Sequence, residues 1–134
     1  MKSYDHTIRY TMDKPDVVTT DMLDPITYPD PGQRDVVVTI VQPEFTSVCP
    51  MTGLPDFGTI TIRYTPGACI IELKSLKYYL LQFRSVGVFY ENLCNRILDD
   101  LVQVIKPKWM EVTGEFTARG GLTTTVYARH ERPS

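Results

Sequence analysis

Apolar and polar residues alternate with a period of two along residues 57–65, where Ile60, Ile62 and Tyr64 share one face and Thr59, Thr61 and Arg63 the other. This pattern predicts a half-buried strand. The β-branched run DVVVTIV, residues 35–41, predicts an earlier strand. Pro66-Gly67 reads as a turn into ACIIEL, a further strand expected to form a hairpin with 57–65. From Phe89 the period changes. Phe89, Leu93, Ile97 and Leu101 recur every fourth residue beside Leu98, Val102 and Ile105. That spacing predicts an amphipathic helix ending before Pro107, and a shorter helix over 75–83 precedes it, broken near Gly87. WMEVTGEFTAR returns to alternation, Gly120-Gly121 turns the chain and LTTTVYARH pairs back. The segment between Pro43 and Pro50, with MTGLPD after it, reads as a loop.

The expected architecture is α+β, an antiparallel sheet of two hairpins with two helices on one face. Residues 1–34, rich in Pro and Asp, are expected to be an irregular arm, partly mobile, before one domain over 35–134. A chain of 134 residues can bury a real core. It is short for a site with two ligands, so sites shared between subunits are expected.

The net charge of −2 gives no electrostatic case for binding nucleic acid, and no direct tRNA binding is expected. No apolar run approaches a membrane span and the N-terminus has no apolar signal core, so a cytoplasmic protein without membrane association is expected. Cys49, Cys69 and Cys94 are odd in number and widely spaced, unlike a disulfide framework. The two histidines, His6 and His130, lie near the two ends, so no metal is expected. No glycine-rich dinucleotide fingerprint or phosphate loop is present.

Four places carry candidate chemistry. Cys49, in SVCPMTGLPDF, puts a soft nucleophile in a loop, active as the thiolate. Asp56, seven residues on, could fold back beside it; partly buried, it would hold a proton and act as a general acid. A buried structural thiol and a turn-capping Asp fit the same pattern. Cys69 and Cys94 lie in apolar settings and read as packed thiols. Lys74 and Lys77, in ELKSLKYY, share a helical face at a helix start, which suits phosphate or simply solvent. Glu91 opens the long helix with Asn95 one turn on; its carboxylate could accept two N–H bonds from a guanine-like edge or answer the helix dipole. The ARGG turn, Arg119 and Gly120 in particular, could hold a phosphate or ribose, or only turn a hairpin.

In order and spacing these four motifs resemble the 7-cyano-7-deazaguanine reductases, the nitrile oxidoreductases of queuosine biosynthesis, over about Pro43 to Arg129. CPMTGLPDF matches the nucleophile loop and Glu72 to Tyr79 matches the family signature throughout. Many members have His-Glu where this chain has Tyr90-Glu91. The resemblance implies a tunnelling fold related to GTP cyclohydrolase I, with sheets joined into barrels and sites at subunit interfaces. The short members form decamers of two pentamers.

It also implies roles. Cys49 would attack the nitrile carbon to give a thioimide, and Asp56 would donate a proton. Ile71, Glu72, Leu73, Tyr90 and Glu91 would hold the deazaguanine. Leu73, Lys74, Lys77, Arg119 and Gly120 would lie against NADPH. Two other readings are weighed: an archaeosine-forming amidinotransferase on the same fold, which the Lys-x-x-Lys motif argues against, and a non-catalytic purine- or pterin-binding protein.

Overall fold

A computed structural model describes residues 12–30 and 34–133. Six strands and two helices follow in the order β1 (Pro25–Thr27), β2 (Val38–Val48), β3 (Pro55–Thr65), β4 (Cys69–Ile71), α1 (Leu73–Leu81), α2 (Tyr90–Ile105), β5 (Trp109–Arg119) and β6 (Leu122–Glu131). Four of them build the main sheet in the order β2-β3-β5-β6, every neighbour antiparallel. β1 and β4 form a separate two-stranded ribbon. The α+β architecture of two hairpins under two helices is the one expected.

The core lies between the sheet and α2. Ile60, Ile62 and Tyr64 of β3 and Met110, Val112 and Phe116 of β5 point to it, and Leu93, Ile97, Leu101 and Ile105 of α2 cover them; all are buried. Gly114 lets the helix come this close. A Cβ there would meet the Phe116 ring at 2.7 Å and Cys94 Sγ at 2.8 Å. Lys106 ends α2 in the left-handed conformation (φ 48°), and Pro107 follows. Under α2, Tyr79 Oη donates to Asp100 Oδ2 (2.5 Å) and Arg96 Nε donates to the same oxygen (2.8 Å). Arg96 also donates to the carbonyls of Pro15 and Val18.

That anchor changes the picture of the N-terminal arm. Its described residues 12–30 carry a 3₁₀ turn, Pro15–Val17, and the strand β1. Val18 and Leu23 are buried in the core.

Two other local expectations are corrected. Residues 57–65 form no hairpin with ACIIEL: β3 pairs with β2 and β5, and β4 pairs with β1. The favoured two-residue hairpin turn needs positive φ at both central residues, which the ring of Pro66 forbids. The segment from Pro43 to Val48 is strand, not loop. β2 runs through Pro43 with a register shift between Gln42 and Phe45. β2 is an edge strand, and an edge bulge tolerates a proline that donates no ladder bond. The true turn spans only Cys49 to Leu54. The short helix begins two residues earlier than expected, at Leu73, and passes into a 3₁₀ turn, Gln82–Ser85.

Candidate active site

The β2–β3 turn is small and tied. Cys49 N–H donates to the Leu54 carbonyl (2.9 Å) and Gly53 N–H to the Cys49 carbonyl (2.7 Å). Gly53 takes φ 74°, a conformation that favours glycine. Cys49 is therefore held at the end of the sheet, and it is buried with 4% of its surface exposed. Burial alone would push its thiol up. Hydrogen bonds from the Thr52 hydroxyl, the Met51 backbone, the Arg119 guanidinium and the Thr52 backbone outweigh it and bring the thiol down from 9.0 to about 7. A large share of the sulfur is thus thiolate at neutral pH.

Asp56 enters β3 on the core-facing side, 4% exposed. Arg119 Nη1 lies 3.4 Å from its Oδ1. Tyr90, at the first turn of α2, places its hydroxyl near both Asp56 and Arg119. Its ring stacks on Phe116, centroids 3.8 Å apart and planes 8° from parallel. Burial, with the Asp56 carboxylate adding to it, raises the Tyr90 hydroxyl. Bonds to Cys49 and Tyr90, then the charges of Asp56 and Cys49, raise Arg119 in turn.

The position of Arg119 depends on two backbone devices. Gly120 (φ 58°) and Gly121 (φ 82°) make the tight turn that pairs Arg119 with Leu122. A register shift lies between Phe116 and Arg119. Strict alternation would put Arg119 on the face opposite Phe116; the bulge turns it toward Asp56 and Tyr90. Thus Cys49, Asp56, Tyr90 and Arg119 converge at one end of the sheet, a thiol, an acid, a hydroxyl and a cation.

The other named residues lie elsewhere. Ile71 is buried at the end of β4, with its N–H on the Tyr64 hydroxyl (3.2 Å). Glu72 caps α1: its carboxylate accepts from the N–H groups of Lys74 (2.5 Å) and Ser75 (3.0 Å). Leu73, 61% exposed, and the exposed Lys74 and Lys77 follow on that helix. Glu91 is exposed in the first turn of α2. No hydrogen bond or ion pair among the described residues links this α1 group to Cys49 or Asp56. The chain passes Cys49 after α1, where Val48 bridges Gly87.

Thr52 and Phe116 belong to the site and were not singled out from sequence. Thr52 carries a signal, an ST-type residue in the turn after Cys49. Phe116 reads only as a core position of β5.

Residues 55–134 match the family model described as QueF-like protein. The chain belongs to the QueF-like family. Within it, the chain is 63% identical over 98 residues to the NADPH-dependent 7-cyano-7-deazaguanine reductase of Chloroherpeton thalassium, covering 73% of this chain and 84% of that one. It is 64% identical over 104 residues to the enzyme of the same name from Chlorobium luteolum, covering 78% and 87%. The crystal structure of an archaeosine synthase QueF-Like in the apo form superposes with a TM-score of 0.69 at 19% identity. It covers 76% of this chain and 100% of that one. That likeness shows the fold, the tunnelling fold of QueF-like proteins.

Proposed function

We propose that this chain reduces the nitrile of 7-cyano-7-deazaguanine to the aminomethyl group with NADPH, in queuosine biosynthesis, through a thioimide on Cys49. One observation carries the reading: a Cys49 thiol brought to about 7 by groups that include Arg119, which also pairs with Asp56, in a chain about three-fifths identical over its aligned residues to reductases of that name.

A nitrile carbon is a poor hydride acceptor. Addition of the Cys49 thiolate forms the S–C bond and moves one C–N π pair onto nitrogen, which takes a proton from the Asp56 carboxyl. The resulting C=N carbon accepts hydride far better. Arg119 keeps the sulfur ionised until substrate arrives. Tyr90, pinned flat on Phe116, and Glu91 flank the substrate's base, with Ile71, Glu72 and Leu73 completing its pocket. Burial of Cys49 and Asp56 keeps out water, which would hydrolyse the imine.

The chain's own residues suit NADPH. Leu73 offers exposed apolar surface, and Lys74 and Lys77 are exposed at a helix start. A Cβ at Gly120 or Gly121 would meet nothing within 4 Å, so the Arg119–Gly120 rim is open to a ligand. When bound, NADPH supplies hydride.

The two groups of residues meet across subunits in this reading. Both edges of the main sheet, β2 and β6, are long and unpaired among the described residues. Joining β2 of one copy to β6 of the next would close a barrel and bring the start of α1 to a neighbour's Cys49, as in a decamer of two pentamers. Residues 35–134 form the catalytic domain after an N-terminal arm, of which residues 12–30 are described, and the enzyme works in the cytoplasm. Among the described residues, no helix is long and apolar enough to cross a membrane.

The test is the nicotinamide absorbance during incubation with free 7-cyano-7-deazaguanine. The reading predicts that absorbance falls as the nitrile is consumed. A flat trace while the nitrile disappears with ammonia would assign the chain to amidine formation instead. Ligand binding with neither change would leave only a purine-binding protein.

A further inference from the structure

Among the described residues, one buried side-chain nitrogen or oxygen lacks a hydrogen-bond partner, the Ser47 hydroxyl. Ser47 is fully buried on β2 and stands directly opposite Asp56 in the β2–β3 register. Opposed residues of an antiparallel pair share a face, with Cβ atoms about 4.5–5.5 Å apart. The unpartnered hydroxyl and the buried carboxyl therefore face the same space. A buried hydroxyl without a partner destabilises a fold, so its presence calls for a reason.

The known neighbours of Asp56 suggest one. Arg119 sits on the hairpin rim with 49% of its side chain exposed. A guanidinium only donates, so it has no oxygen to accept the hydrogen bond a protonated carboxyl would offer. A hydroxyl donates to a carboxylate and accepts from a carboxylic acid. It can hold Asp56 before and after proton transfer. For serine, one χ1 rotation moves the oxygen between staggered positions without moving the strand.

We propose that Ser47 is a positioning residue for nitrile reduction, its hydroxyl holding the Asp56 carboxyl in place as Arg119 turns to the incoming ligands. The proposal rests on the reading of Cys49 as nucleophile and Asp56 as acid. The step it serves is the addition already described: the S–C bond forms, a π pair moves to nitrogen, and the Asp56 proton follows. Ser47 neither gains nor loses a proton overall.

The experiment is the rate of covalent adduct formation with the free nitrile, without NADPH, followed by intact mass. Ser47→Ala should slow the saturated rate about ten- to a hundredfold and leave the half-saturating concentration unchanged. Its Tm should equal or exceed the wild-type value, because an unpartnered buried hydroxyl is removed. Ser47→Thr should keep most of the rate, whereas Ser47→Val, isosteric with that threonine, should not; this pair decides the matter if Ser47→Ala folds badly. Wild-type rate in Ser47→Ala or Ser47→Val would overturn the proposal. So would a lowered Tm in Ser47→Ala with equal losses in the Thr and Val variants, which marks packing alone. If the wild-type protein itself forms no adduct, the Cys49 reading fails first and this inference with it.

Discussion

The end of the sheet and the start of α1 are built in opposite ways. At the sheet end, Cys49 and Asp56 are each 4% exposed, and Ser47 Oγ is the one buried side-chain nitrogen or oxygen among the described residues without a hydrogen-bond partner. At the start of α1, Leu73 is 61% exposed and Lys74 and Lys77 reach into solvent. The first region sets protonation states within one chain. The second presents exposed groups to its surroundings. The difference matches the division of labour proposed above, with bond making prepared locally and recognition completed by a neighbouring subunit.

The sharpest break falls on the first region. Cys49→Ala should abolish both adduct and turnover, measured by mass and by nicotinamide absorbance, while leaving nucleobase binding measurable by calorimetry. Asp56→Asn should slow adduct formation about 10²–10⁴-fold with little change in substrate affinity, because proton delivery matters in the transition state. The second region should respond differently. Lys74→Ala should raise KM for NADPH about tenfold or more and leave the adduct rate without cofactor unchanged, since a charged hydrogen bond to phosphate is lost. An equal loss of adduct formation would erase the proposed division.

Smaller effects sharpen it. The thiol lies at about 7, so adduct formation should rise with pH through that value and level off above it. Arg119 is one of the groups that lower the thiol; Arg119→Gln should move the midpoint upward, so that the variant recovers rate only at higher pH. Thr52→Val should shift it the same way. Smallest is Glu72→Ala, which removes the cap of α1 and should cost about 1 kcal/mol in thermal unfolding. A rise in substrate KM beyond that destabilisation would give Glu72 a second role, at the nucleobase.

How much of this could be read from sequence follows from what is local and what is not. The long helix was legible because its stripe, from Leu93 to Ile105, is set by period alone. The β5–β6 hairpin was legible because Gly120-Gly121 announces its turn. The pairing of β4 was not, because alternation says that a strand exists but not which edge it joins. The continuation of β2 through Pro43 was hidden by a residue that normally marks a loop. The same holds for the site. Cys49 and Asp56 stood out by chemistry and spacing. Arg119 was visible as a cation near a turn, but its approach to Cys49 depends on a bulge that no residue pattern announces. Ser47 was invisible, since only the β2–β3 register sets it opposite Asp56.

The division between the two regions stands or falls on the sulfur. Mixing the protein with 7-cyano-7-deazaguanine without NADPH and weighing the intact chain tests it most directly. A gain equal to the whole base, absent in Cys49→Ala and reversed when NADPH is added, is the expected result. An unchanged mass, or a gain that survives Cys49→Ala, would contradict the account.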